Sequence, residues 1–241
     1  MLPLPNTLIR NLDDWFRVEL SYTSNAIEGN TLNRKQAALV LEKGITIGGK
    51  LPIEHLAASN HAQALDWIKE RVNHNPNYPI QNDILDIHAI VIKGIDDIHA
   101  GHYRSVPIQI FSPTVVLPNP MKVVDGNGRC ARLLMNMMLL MSGYPPAIIR
   151  KRDRLTYIQS LEKAQLGNLK YDYFTIIAKA VDRSLNIYLS AATGENPTPD
   201  KEYRLLKIGV LTKQGLLNVS EITDSGYQLY SSEMVERIGQ I

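Results

Sequence analysis

The sequence predicts a mainly α-helical fold with one β-hairpin and a small C-terminal appendage, and three observations lead there. Apolar residues recur at three- and four-residue spacing through most of the first 190 positions. Strand-type alternation is confined to one stretch, 103–118. A polar, proline-bearing segment, "TGENPTPDKEY", then separates the helical part from a short tail. With 241 residues, 44% of them hydrophobic, the chain can bury one good-sized core and carry a small appendage.

The elements follow in order. Leu8, Leu12, Trp15 or Phe16, and Leu20 share one face of a first helix. Asn33 or Thr31 is placed to cap "RKQAALVLEKG", which stops at Gly44, and "GITIGGK" follows as a glycine-rich turn. "IEHLAASNHAQALDWIKERV" is amphipathic, with Leu56, Ala64, Leu65 and Ile68 on its apolar side, and "NHNPNYP" ends it. "QNDILDIHAIVIKGI" is a further helix, closing near Gly94. In "YRSVPIQIFSPTVVLP" β-branched and aromatic residues alternate around a turn at Ser112–Pro113, which predicts the hairpin. Helices are expected over 130–142, 153–166 and 171–191. The division is thus 1–190, a linker 191–203, and a module 204–241. No repeat of solenoid period is present.

Composition narrows the function. Basic and acidic residues nearly balance, 26 against 24, so no bulk electrostatic partner such as nucleic acid or an anionic membrane is indicated. Cys130 is the one cysteine, which excludes an intrachain disulfide and a cysteine-built zinc site and favours a reducing compartment. "MLPLPNTLIRNLDDW" lacks the charged-then-apolar order of a signal peptide. The most apolar run, "LLMNMMLLMSGYPP", is short and interrupted by Asn136, so no bilayer span is expected. The expectation is a cytoplasmic protein.

The chemistry concentrates in "VVDGNGRCARLLMN", residues 123–136. Gly126 and Gly128 permit close backbone approach. The loop opens a helix striped by Leu133, Leu134, Met137, Leu140 and Met141. Exposed N–H groups at a helix start and the helix dipole form an anion site. Arg129 and Arg132, three apart, share a face at that positive end, with no acid between them, and this favours a phosphate. Asp125 is placed to hold a Mg²⁺ bridging phosphate oxygens. "GNGRCA" also fits the dinucleotide pattern G-x-G-x-x-[GA], but the parallel β-α-β units that pattern needs are missing, as is G-x-x-x-x-G-K-[ST].

"DGNGRCAR" resembles the end of the Fic domain signature, H-x-F-x-[DE]-G-N-G-R-x-x-R, matching every specified position from Asp125 to Arg132. "RLLMN", "SGYPPAIIRK", "YIQSLEKAQLGN" and "FTIIAKAVDRSLNIYL" resemble the helices that follow the motif, and "GHYRSVPIQI" the start of the flap that docks a target's backbone. The resemblance covers roughly 7–190 and implies a Fic-type helical bundle with a hairpin flap. It implies a protein adenylyltransferase, moving AMP from ATP to a hydroxyl side chain of a target protein, with ATP and Mg²⁺ as cofactors. Gly126, Asn127, Gly128 and Arg129 would cradle the phosphates, Asp125 would hold Mg²⁺, and Arg132 would clamp the γ-phosphate. Gln165, in "AQLGN", stands where many members place an asparagine near the adenine.

One departure is large. The family's histidine would sit four before Asp125, where Met121 stands, and its phenylalanine two before, where Val123 stands. A positioned imidazole is worth roughly 10²–10⁴ in rate as a general base, and methionine cannot replace it. "LPNPMKV" resembles the flap's end and "VDGNGR" the motif loop's end, with no helix between, so the expectation is that some tens of residues are absent between Val123 and Val124. The catalytic residue is therefore unassigned. A true junction there would make the chain a non-catalytic nucleotide- or phosphate-binding module. None of His55, His61, His74, His88, His99 and His102 stands in a motif context, and Cys130 reads as a packing residue.

"SNAIEGN", 24–30, fits the family's inhibitory pattern [ST]-x-x-x-E-[GN]. Ser24 and Glu28 lie one helical turn apart, and Gly29 suits a left-handed cap. The resemblance implies that Glu28 reaches Arg132 and occupies donors a γ-phosphate needs. The resemblance also allows the reverse reaction, removal of AMP from a modified target, which some members with this brake run. The C-terminal segment resembles the winged-helix-like module of some bacterial members and is the one part through which nucleic acid would bind. A homodimer is compatible with the same resemblance.

Overall fold

The computed structural model describes residues 5–75, 79–103, 127–167 and 170–193, and the backbone of 221–222 and 228–229. Seven α-helices run in order through the described part of the first 193 residues: α1 Asn6–Ile27, α2 Arg34–Lys43, α3 Pro52–His74, α4 Gln81–Ile92, α5 Asn127–Met141, α6 Arg154–Gly167 and α7 Tyr171–Thr193. A 3₁₀ turn at Lys151–Asp153 leads into α6. The fold is mainly helical, as predicted. The expected hairpin at 103–118 falls almost wholly outside the described residues.

Local chemistry sets the boundaries. Asn33 caps α2: its side chain accepts the Gln36 N–H while Gln36 accepts the Asn33 N–H, each at 2.9 Å. Gly44 ends the helix at φ 64°. Glu54 accepts the Leu51 N–H at the start of α3, and Asp83 accepts the Ile80 N–H at the start of α4. Arg71 grips that same Asp83 through two nitrogens, at 2.8 and 3.1 Å, and so clasps α3 to α4.

α3 is the central helix and packs against α1, α2, α4 and α5. Its buried face is Ala57, Ala58, Ala62, Ala64, Leu65 and Ile68. The run of alanines allows close approach, and the Asn25 side chain reaches the Ala57 carbonyl at 3.2 Å. Leu56, assigned to the apolar face from spacing, is instead 40% exposed, because the buried stripe is rotated onto the alanines. Leu133 and Met137 of α5 are fully buried, each contributing roughly 1.5–3 kcal/mol. A second cluster joins Ile27, Ala147, Ile149, Tyr157, Ala180 and Val181. It ties the end of α1 to α6 and α7, while Phe16 stacks on Tyr188 at 5.2 Å.

The chain divides into two compact units, Met1–Leu189 and Ser190–Ile241. In the second, Glu221–Ile222 and Gln228–Leu229 pair antiparallel, Glu221 opposite Leu229. No described helix is long and apolar enough to cross a membrane.

Candidate functional site

α5 begins at Asn127, three residues earlier than spacing predicts, so Gly128 and Arg129 lie within its first turn. That places the first-turn N–H groups, which have no intrahelical acceptor, within the glycine motif itself. Asp125 and Gly126 fall outside the described residues.

Arg132, one turn further on, points inward and is 4% exposed. Its partners come from α1. Nε donates to Ser24 Oγ at 2.9 Å, and Nη2 donates to the Ser24 carbonyl at 2.9 Å and to Glu28 Oε1 at 2.7 Å. The structure thus brings Ser24, Glu28 and Arg132 together across 104 positions of chain. Each charge lies at the favourable end of the other's helix: the arginine at the negative C-terminal end of α1, the carboxylate at the positive N-terminal end of α5. Glu28 reaches so far over α5 that a Cβ on Gly128 would overlap its Oε1. Gly128 has ordinary helical backbone, so what opposes a side chain there is the Glu28 carboxylate and not backbone strain.

Arg129 is half-buried, and its Nε is shielded from solvent with no hydrogen-bond partner among the described residues. Burial, and secondarily the Arg132 charge, push its guanidinium below the ordinary arginine range. Arginine stays protonated all the same, so the site holds a cation with a donor unmatched among the described residues. An orphaned donor beside a glycine cradle fits a bound phosphate.

Cys130 is buried, and its thiol is pushed up to about 11 by that burial, so it is protonated at neutral pH and not nucleophilic. Gln165 is exposed on α6. His61, given no role from sequence, is buried 2% exposed with Nδ1 3.2 Å from Ser21 Oγ. Burial first, then the Arg132 and Arg129 charges, bring it down to about 3, so it is neutral. It shares a small pocket with Thr23, Ser24, Arg132 and Asn136. No local pattern marks it, because its significance lies in how α3 meets α5. Among the described residues no cluster of three or more His, Cys, Asp or Glu is placed to hold a metal ion.

No protein-family model matches the chain. Similar curated proteins include "Protein adenylyltransferase Fic" of Nematostella vectensis, 30% identical over 210 residues, 71% of this chain and 48% of that protein. The protein of the same name from Aedes aegypti is 27% identical over 258 residues, 92% of this chain and 52% of that protein. The chain therefore spans about half the length of these curated relatives. The alignments are also longer than the chain they cover. Of the 241 residues 71% is about 171, against 210 aligned positions, so about 39 positions of the Nematostella protein lie opposite gaps. The Aedes protein gives about 222 against 258, or about 36.

Among solved structures, Fic-1 from C. elegans superposes with a TM-score of 0.71 at 27% identity, covering 80% of this chain and 68% of that one. A Fic domain containing signaling protein from Bacteroides thetaiotaomicron shares the fold, with a TM-score of 0.69 at 22% identity over 82% of this chain and 94% of the other. In sequence, in fold and in the DGNGRCAR motif, the chain belongs to the Fic domain family.

Proposed function

We propose that the protein is an adenylyltransferase that moves AMP from ATP to a target protein's hydroxyl group and is held in check by its own Glu28. The similar proteins that carry the name adenylyltransferase support the reaction class. The observation that carries the proposal is the Glu28 carboxylate, lying against Gly128 and on Arg132 at the start of α5. It is an anion seated where the motif would seat a phosphate.

In this reading Asn127, Gly128 and Arg129, with Gly126, hold the phosphates, Asp125 takes Mg²⁺, and Gln165 lies toward the adenine. Bound Mg²⁺ would neutralise phosphate charge. The target oxygen attacks the α-phosphorus, the bond to the β-phosphate oxygen breaks, pyrophosphate leaves, and the hydroxyl proton passes to a base. Phosphoryl-type transfer depends on alignment and charge stabilisation more than on new groups. Arg132 supplies that alignment only when Glu28 releases it. The two alignments leave about 36–39 positions opposite gaps, enough for the base-bearing segment expected between Val123 and Val124. The flap, 103–118, would hold the target as an added strand.

The test is incubation with α-labelled ATP. Wild type should label itself or lysate proteins faintly, Glu28→Gly strongly, and Glu28→Gly with Arg132→Ala faintly again. A folded Glu28→Gly no brighter than wild type removes the brake. Reading the gene across Val123–Val124 decides the base: a histidine there supports the enzyme, and a true junction with no labelling in any variant leaves a nucleotide-binding module.

A further inference from the structure

The turn that carries Glu28 is fastened from two sides by residues outside both the motif and the inhibitory pattern. α1 ends with the Gly29 N–H on the Ala26 carbonyl at 3.3 Å and the Asn30 N–H on the Asn25 carbonyl at 3.0 Å, with Gly29 at φ 96°. This double closure fixes the helix end but not where the end points.

Two long-range contacts fix that. From α3, Glu54 divides its carboxylate. Oε2 accepts the Leu51 N–H of its own helix start at 2.9 Å, and Oε1 accepts the Thr31 N–H at 2.6 Å. The Thr31 N–H first, then the Thr31 side chain and the Leu51 N–H, hold its carboxyl down at about 2, so the bonds are charge-assisted at neutral pH. Asn30 adds a bond from its side chain to the Glu54 carbonyl at 2.9 Å. From the other side, Arg154 at the start of α6 donates Nε to the Ile27 carbonyl at 2.7 Å. Ile27 is the last residue of α1, so this carbonyl has no intrahelical donor. The Glu28 side chain itself is 43% exposed, so packing does not hold it and its position follows its backbone.

We propose that Glu54 and Arg154 are positioning residues for the Glu28 carboxylate, clamping residues 27–31 between α3 and α6 so that Glu28 stays on Arg132 and over Gly128. The proposal rests on the reading of Glu28 as the brake. Loosening either clamp lets the turn swing and hands Arg132 to a phosphate, with no change to any motif residue.

The experiment is ATP binding by calorimetry on the full chain. Glu54→Gln, which leaves one oxygen for two N–H groups, and Arg154→Met should each bind ATP about fivefold more tightly than wild type, the effect of one net hydrogen bond. Arg154→Lys, which keeps a donor, should stay near wild type. In a Glu28→Gly background neither substitution should change affinity further. A residue important only for the fold would weaken binding instead, and would do so in both backgrounds. Unchanged or weaker binding in the single variants, while Glu28→Gly tightens it, overturns the clamp and leaves the brake standing. No tightening in Glu28→Gly overturns both. Should Arg154→Met fail to fold, Glu54→Gln decides by the same two readings.

Discussion

Gly128→Ala separates the two roles that meet at the start of α5. The added Cβ would overlap Glu28 Oε1 and sit 3.0 Å from Glu28 Cδ and 3.1 Å from Arg132 Nη1. What must yield is the free end of a half-exposed side chain, so Glu28 swings outward and the backbone stays. The lost ion pair joins a buried guanidinium to a half-exposed carboxylate, so its loss costs more than the ~1 kcal/mol of a surface pair. Arg132 keeps both bonds to Ser24, although the buried cation then lacks its carboxylate partner. Alanine in place of glycine returns only part of the ~1 kcal/mol that it is worth in a helix interior, since Gly128 is the second residue of α5. The gain does not cover the loss, so Tm should fall, by about 2–4 °C for each kcal/mol not returned. The nucleotide reading is different. The same methyl fills the space a phosphate needs against the helix start, and losing one charge-assisted contact costs about 1.5–3 kcal/mol, or roughly 10- to 150-fold in affinity. Calorimetry should therefore find Gly128→Ala binding ATP at least tenfold more weakly than Glu28→Gly, although both displace the same carboxylate. Equal affinity in the two variants would refute the placement of the phosphate over Gly128.

Two further outcomes follow from the same geometry. Arg129→Ala, which removes a cation at the start of α5 whose Nε has no partner among the described residues, should weaken ATP binding by tenfold or more by calorimetry while leaving Tm close to wild type. His61 is neutral in the fold, with a folded value of about 3 against 6.5 when unfolded, so the unfolded state binds the extra proton as pH falls. Stability should therefore be retained above pH 6.5 and fall as pH drops below it, at up to about 1.4 kcal/mol per pH unit. Chemical denaturation of His61→Gln should lose that slope between pH 6.5 and 4.5, a window above the range in which Glu54 protonates.

The sequence by itself determined the features whose physics is local. The Asn33 cap, the Gly44 stop and the Gly29 turn are each decided within a few residues by hydrogen bonds and left-handed backbone. The helical class follows from period, and the expectation of an anion site from DGNGRCAR, where two glycines and two arginines lie within eight residues. The pattern around Glu28 was legible only through its family likeness, because nothing in "SNAIEGN" itself says what the carboxylate meets. Tertiary structure decided everything that depends on the angle and depth at which helices pack. It set Leu56 outside and the alanines of α3 inside, put His61 beside Arg132, and began α5 early enough to draw Gly128 into the helix. It also brought Arg154 to Ile27 and Glu54 to Thr31, 127 and 23 positions apart. Spacing reports which face of a helix is apolar but not its rotation against a neighbour to within one residue, and a rotation of that size separates an ion pair from two solvated charges.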